Sequence, residues 1–323
     1  MRNLKKLWLS VIALIACAFL AKAVLPEPYG PSPLIAWQLA SLKLSGTVPE
    51  ITWVDIVRDF IGWPQWPYFA REFITGDVRL KSRSNFPGCP YVLDTPVGDI
   101  HGRFTDVELV EGILKEILQQ HIYEHPQARV RPGDVVLDVG AHLGTFARYA
   151  FQKGASVVIG VEPDPRNVAC LKQTFHEEIR QGKFRLVEAA ASDSEGTITL
   201  FQHPDSSMSR VVERNLRDWE TRVFRPWKKL GAEPRSIPVP ARTLDSMIAH
   251  LVVERVDFIK MDIEGAERLA LAGARQILER FAPRMVLCIY HREDDPVVLP
   301  RLARQLQPRY RTATTKTQAF FFE

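Results

Sequence analysis

The chain predicts an α/β fold: a mostly parallel sheet covered by helices on both faces. Two observations predict it. From Val130 onward, short segments that are apolar throughout recur in a regular rhythm, and segments of helical spacing alternate with them. Strands buried on both faces read as unbroken apolar runs, and parallel neighbours require a crossover helix between them. In order, DVVLDVG reads as a buried strand followed by a helix from Thr145 to Lys153. SVVIGVE is a second strand with a helix from Pro165 to Ile179. FRLVEAAA is a third strand, and TITLF a short additional one. RVDFIKMD is another buried strand, followed by a helix from Ala266 to Leu278. RMVLCIY is the next, with a helix from Val297 to Leu306, and YRTATT with AFFFE closes the sheet as an antiparallel pair. No internal repeat interrupts this rhythm.

With 323 residues, 46% of them hydrophobic, the chain is long enough to bury a substantial core and to carry an appendage beside it. The net charge of +4 is mild, and the basic residues form no single long run. No zinc-finger or RNA-recognition signature is present, so no nucleic-acid partner is expected. The four cysteines, Cys17, Cys89, Cys170 and Cys288, are far apart and include no CxxC pair. That spacing is neither a zinc site nor a disulfide framework, and it reads as buried free thiols.

Residues 1–25 open with MRNLKK and continue into LWLSVIALIACAFLAKAVL, apolar except for Ser10 and Lys22. The length suits a single-pass N-terminal signal-anchor or transmembrane helix, which gives a membrane location and a membrane partner. A cleaved signal peptide competes, because Ala21-Lys22-Ala23 has small-x-small spacing. LIAC, ending at Cys17, resembles a lipoprotein processing site, but the apolar run continues past it. The basic residues ahead of the run predict, by the positive-inside rule, a remainder outside the cytoplasm; the reverse orientation and a segment that only lies on the membrane compete with that reading. Residues 26–90 are rich in Pro and Trp and read as a helical linker or cap. All seven Trp lie outside the strand–helix core. Residues 203–236 break the rhythm with a basic insertion that reads as a solvated helix, a lid or a membrane-contacting segment.

Ligands in such sheets bind beyond the carboxyl ends of the strands. The first strand ends VVLDVGAHLGTF, where Gly140 and Gly144 flank AHL and His142 occupies the place of a second glycine. A bulky residue there opposes the close approach of a pyrophosphate, and Asp138 would repel one. S-adenosylmethionine suits the pattern better, since it carries an ammonium, a sulfonium and a ribose diol but no phosphate. Gly140 admits close backbone approach, Asp138 orients the methionyl amine, Glu162 accepts from the ribose hydroxyls and Asp193 from the adenine amino group. Each acid alone also reads as a cap or a solvated loop residue; three at successive strand ends favour a ligand site.

PGDVVLDVGAHLGTF, VIGVEPDPRN, VEAAASDSEGTITLF, ARTLDSM, VDFIKMDIEGAERLALAGA and IYHRED together resemble the FkbM family of SAM-dependent methyltransferases over residues 91–323. The resemblance implies a class I methyltransferase (Rossmann-like) fold, a seven-stranded mostly parallel sheet, and transfer most often to a hydroxyl oxygen. His142 departs from the family's common Asn. The first 90 residues and the insertion at 203–236 are poorly covered.

Methyl transfer needs an aligned nucleophile and, for a hydroxyl, a group that removes its proton. The ends of the fourth and fifth strands offer Lys260, Asp262, Glu264 and His291. Asp262 or His291 is expected as the base, and Lys260 as support for an acidic acceptor or an alkoxide. Glu264 also suits the first turn of the following helix, where negative charge complements the macrodipole. A divalent ion bridging Asp262, Glu264 and His291 is the lesser reading, because the motif lacks a strict metal spacing, and no metal is expected. The acceptor is a glycan, lipid or other small molecule. Two other functions compete: a membrane-tethered protein that binds SAM or a nucleotide without catalysis, and an NAD-dependent oxidoreductase. Retention of Asp138, Glu162 and Asp262 opposes the first, and the missing GxGxxG opposes the second.

Overall fold

The computed structural model describes residues 77–323 except 87, 104–105, 204–205 and 212–234. The chain divides into two compact units, Met1–Pro96 with Gly102–Gly112, and Val97–His101 with Ile113–Glu323.

In chain order the elements begin with β1 (Arg79–Arg83), β2 (Tyr91–Asp94), β3 (Ile100–Gly102) and α1 (Asp106–Leu118). Next come β4 (Val135–Val139), α2 (Thr145–Gln152), β5 (Val157–Val161), α3 (Pro165–Thr174), α4 (His176–Arg180) and β6 (Phe184–Val187). β7 (Ala190–Ala191), β8 (Gly196–Gln202), β9 (Arg210–Val211), β10 (Arg235–Arg242) and α5 (Leu244–His250) follow. The chain ends with β11 (Phe258–Met261), α6 (Glu267–Ala272), α7 (Arg275–Phe281), β12 (Arg284–Cys288), α8 (Asp295–Leu306), β13 (Arg311–Thr314) and β14 (Gln318–Phe322).

In the first unit, β1 and β2 form an antiparallel hairpin. Leu80, Tyr91 and Leu93 are its buried residues, and Leu80 pairs with Leu93 across the two strands. Within the same unit Asp106 accepts from the backbone N–H of Arg103 at 2.7 Å and from its guanidinium at 2.9 and 3.0 Å, which ties down the start of α1.

The second unit is built on a seven-stranded sheet in the order β13-β14-β12-β11-β4-β5-β6. β11, β4, β5, β6 and β12 run parallel, and β14 is antiparallel to both of its neighbours. This is the architecture of the class I methyltransferase sheet, and the closing antiparallel pair falls where the sequence places it. The central strands are buried along their length: all four residues of β11 and all five of β14 are buried. Leu137, Ile159, Ile259, Met261, Leu287 and Phe321 belong to one continuous apolar core. Each such side chain contributes about 1.5–3 kcal/mol on leaving water. A smaller sheet, β7-β10-β8-β9, takes up TITLF and the strand that follows the basic segment.

Two helices expected to be continuous are broken, and tertiary contacts explain both breaks. α3 starts on Asp164, whose carboxylate accepts from Arg166 N, with Pro165 as its first residue. It stops at Phe175, which leaves helical geometry at φ −108° as its ring stacks 4.1 Å from that of Phe184. The helix expected from Ala266 divides at Ala274, because the Asp245 carboxylate accepts from Gln276 N and Ile277 N, both at 2.9 Å, and starts α7 anew.

Three expectations need correction or fall outside the description. Among the described residues no helix is long and apolar enough to cross a membrane, so the single-pass anchor and the membrane location inferred from it are withdrawn. Residues 1–25 themselves, all seven Trp and most of the basic insertion lie outside the described residues. The cysteines are not uniformly free: Cys89 and Cys170 are disulfide-bonded, while Cys288 is a buried thiol. Sequence spacing carried no signal for that, because a disulfide is set by the distance and orientation of two side chains in the fold. The described part of the Pro/Trp-rich stretch contains strand β1.

Candidate active site

The strand order reverses between β4 and β11: the chain steps outward from β4 to β5 and β6 on one side, and to β11 and β12 on the other. Such a switch point opens a crevice at the carboxyl ends of the strands. The residues singled out in the sequence lie on those strand ends and the turns beyond them.

Asp138 and Lys260 face each other in register across β4 and β11. Lys260 Nζ lies 3.2 Å from Asp138 Oδ1 and donates to the Gly140 carbonyl at 2.8 Å. Burial works against the Lys260 charge, but Asp138 and Asp262 outweigh it and hold the group as ammonium. Burial pushes the Asp138 carboxyl upward, and Lys260 opposes that shift. Asp138 is wholly inaccessible. The ammonium that meets it is therefore the protein's own, and Lys260 positions the turn instead of reaching into the crevice.

The turn after β4 is anchored by Gly140 N and Ala141 N, which donate to the Val161 carbonyl at 3.0 and 3.1 Å. Gly140 has φ +83°, and a Cβ there would lie 2.0 Å from the Asp262 carbonyl oxygen. Gly144, at φ +89°, would drive a Cβ to 2.3 Å from the Phe175 ring. Both glycines are thus required by the protein's own packing, whatever else approaches Gly140. His142 lies between them with φ 52°; its N–H donates to Glu162 Oε2 at 2.8 Å, and its Nε2 lies 2.9 Å from Ser206 Oγ.

Glu162, at the end of β5, also accepts from Asp164 N at 2.9 Å and from Asn167 Nδ2 at 3.4 Å. Burial pushes its carboxyl up to about 7, against the pull of those backbone N–H groups. Its two oxygens retain lone pairs beyond the bonds already made. Asp193 is exposed and accepts from the neighbouring hydroxyls of Ser194 at 2.9 Å and Ser192 at 3.4 Å.

At the ends of β11 and β12 the structure brings Asp262, Glu264 and His291 together. His291 Nε2 lies 3.5 Å from Asp262 Oδ1 and 3.6 Å from Glu264 Oε1. On the far side of the ring, Nδ1 lies 2.9 Å from Glu267 Oε1. Burial opposes a charged ring, but Glu264 and Glu267 prevail and push His291 up to about 11. An imidazole held in this way already carries its proton at neutral pH and has no lone pair with which to take another. Burial raises the Asp262 carboxyl, yet Lys260 and His291 outweigh it and bring the group below the usual carboxylate range. Asp262 Oδ2 accepts from Tyr123 Oη at 2.8 Å.

Several members of this site were not singled out in the sequence. Tyr123 comes from a loop with no motif. Glu116 on α1 is pushed up to about 7 by burial and by Asp262. Tyr290, which is 51% exposed, places its ring 4.2 Å from His291. Glu267 is the third acid of MDIEGAE, at the first residue of α6, and only the left-handed turn at Glu264 and Gly265 brings it behind the His291 ring.

A doubly wound sheet with acids and a glycine turn at its switch point defines a class I methyltransferase-like fold and site. A family model described as the methyltransferase FkbM domain matches residues 138–307, just over half of the chain. The chain belongs to the FkbM methyltransferase family. The 2-O-methyltransferase NoeI of Sinorhizobium fredii is 28% identical over 182 residues, 54% of this chain and 71% of that protein. The 31-O-demethyl-FK506 methyltransferase FkbM of Streptomyces tacrolimicus is 27% identical over 180 residues, 50% of this chain and 67% of that protein. Among solved structures, methyltransferase FkbM from Methylobacillus flagellatus aligns with a TM-score of 0.44 and 18% identity. That alignment covers 68% of this chain and about half of the other, 54%.

Proposed function

We propose that the chain is a SAM-dependent O-methyltransferase acting on a hydroxyl of a glycan, lipid-linked or other small-molecule acceptor, with residues 91–323 as its catalytic domain. The observation that carries the reading is the convergence of Asp262, His291 and the Glu162-anchored turn on one switch-point crevice of an FkbM-family chain. The names of the two relatives, a 2-O-methyltransferase and a 31-O-demethyl-FK506 methyltransferase, support a hydroxyl acceptor.

The residues present fit S-adenosylmethionine in part. Glu162 keeps acceptor capacity for a ribose diol, and Asp193 is exposed and free to meet an adenine amino group. Asp138 acts through Lys260 and the Gly140 turn instead of meeting the methionyl amine itself. When bound, the cofactor would supply a methyl group activated by a sulfonium for transfer to the acceptor oxygen. The chain's residues orient the acceptor and receive its proton. Asp262, kept ionised by Lys260 and His291, takes the hydroxyl proton. His291 stays cationic between Glu264 and Glu267 and fixes the geometry of Asp262. The exposed Tyr290 ring offers a flat apolar surface for the face of a sugar or ring acceptor.

The test is methyl-labelled SAM incubated with separated lipid, glycan and small-molecule fractions, alongside calorimetric SAM binding. Asp262→Asn should bind SAM within about twofold of the parent and lose at least about 100-fold in turnover, the scale of general-base loss. Loss of SAM affinity with an unchanged single-turnover rate would overturn the assignment, as would nicotinamide binding in preference to SAM.

A further inference from the structure

We propose that Asp262, Glu264 and His291 form a binding site for one divalent transition-metal cation, of the Mn2+ or Zn2+ class. The three side chains each offer a ligand atom, and these atoms all lie within 4.8 Å of one another. Donors spaced no more than 4.8 Å apart, with the two His291 contacts at 3.5 and 3.6 Å, leave a centre within about 2.4 Å of each, close to ordinary bond lengths to nitrogen and oxygen. One imidazole with two carboxylates suits first-row transition cations better than Ca2+, which takes oxygen ligands alone.

A cluster of acids would not suffice; the pattern of satisfied and unsatisfied atoms points to a ligand. The His291 side chain is only 6% exposed, yet its Nε2 has no hydrogen-bond partner and faces the two carboxylates. Asp262 Oδ1 is likewise buried without a hydrogen bond. At 3.5 and 3.6 Å the contacts between them are too long to satisfy either atom. Behind the ring, His291 Nδ1 makes an ion-pair contact of 2.9 Å with Glu267 Oε1 and no hydrogen bond, and that oxygen accepts from Ile263 N at 3.0 Å. Asp262 Oδ2 accepts from Tyr123 Oη. A carboxylate behind the imidazole, fixing the ring so that its other nitrogen points inward, is the outer arrangement that metal-binding histidines require.

The charges leave room for a dication. Asp138, Asp262, Glu264 and Glu267 bring four carboxylates into the neighbourhood, while Lys260 acts on Asp138 and Asp262, and Arg210 acts on Glu264. The cation would take the place of the Nε2 proton that His291 carries in its absence, and with the ring then neutral two negative charges remain. Glu264 and Asp262 are 24% and 21% exposed, so the site is open on one side to water or to an acceptor oxygen. The role of the cation rests on the methyl-transfer reading: when bound it would hold the acceptor hydroxyl and acidify it, the proton leaving to solvent water, and the proton-accepting role given to Asp262 above is that of the metal-free protein.

The experiment titrates chelator-treated protein with Mn2+, without SAM or acceptor, and follows the free ion by electron paramagnetic resonance. The expected result is saturable binding of one equivalent, competed by Zn2+. Glu264→Gln and His291→Asn, each checked for parental circular dichroism and thermal unfolding, should weaken it at least tenfold, and Glu267→Gln by about 10–100-fold. Glu188→Gln, an exposed acid elsewhere, should leave it unchanged. No bound Mn2+ up to millimolar concentration, or binding undiminished in Glu264→Gln and His291→Asn, would overturn the site. Because neither cofactor nor acceptor is present, a failed methyl-transfer assay leaves this result standing. Full methyl transfer after chelation, with no bound Mn2+, removes the metal site alone.

Discussion

Lys260 is charged, yet it occupies a strand whose other members are Phe258, Ile259 and Met261, all buried. Its register opposite Asp138 resolves the conflict, since each ion lessens the other's cost of leaving water. Removing one partner is worse than removing both. Lys260→Met should destabilise the fold by about 3–5 kcal/mol by stranding the Asp138 carboxylate and the Gly140 carbonyl. The double variant with Asp138→Asn should recover a large part of that loss in urea unfolding. Equal losses in the single and double variants would remove the pairing argument. His291 shows the same dependence on neighbours. Its sequence position offered it, with Asp262, as a base, but Glu264 and Glu267 push its imidazole up to about 11, and under the proposed function the proton-accepting role falls to Asp262.

At the scale of elements, helix starts are set by side chains that satisfy first-turn amides. Asp164 and Thr243 do so from within their own segments, and DPRN and RTLDS announce them in sequence. Thr243 accepts from Ser246 N at 3.1 Å at the start of α5. Thr243→Ala should therefore cost about 1 kcal/mol, with Thr243→Ser nearly neutral, as read from chemical denaturation midpoints. Asp245 differs, because it caps α7, a helix about thirty residues further along the chain by the measure of its bond to Gln276 N. No local pattern announces such a cap, and the sequence accordingly reads one helix where the fold makes two.

Across the whole molecule, buried carboxylates tie stability to pH. Glu162 keeps its proton up to about pH 7 in the folded chain, against an ordinary value of 4.5. Between those values the folded state binds more protons than the unfolded one, so this group's contribution falls as pH rises and levels off above about 7. The loss is on the order of 3 kcal/mol at most. Glu162→Gln should show a smaller fall in urea midpoint between pH 5 and pH 8 (about the interval over which the group ionises). An identical pH profile in the variant would show that Glu162 ionises alike in both states. Ligand hydroxyls prefer the carboxylate, so SAM affinity should rise over the same interval in the parent and stay flat in the variant.

The sequence by itself determined the sheet. Apolar runs such as VVLDV, FIKM and QAFFF are long enough, and uniform enough, to demand burial on both faces, and the acids closing them fall at one edge because parallel strands share a direction. The family was legible for the same reason, since its motifs sit on those edges in a fixed order. Only the tertiary structure decided what the edge residues do. It paired Asp138 with Lys260, filled the space beside Gly140 and Gly144 with the protein's own atoms, brought in Tyr123 and Glu267, and turned His291 from base to cation. The physical reason is one of range. Burial periodicity is written along the chain, whereas a side chain's charge and hydrogen bonds depend on distances of about 3 Å that folding alone sets.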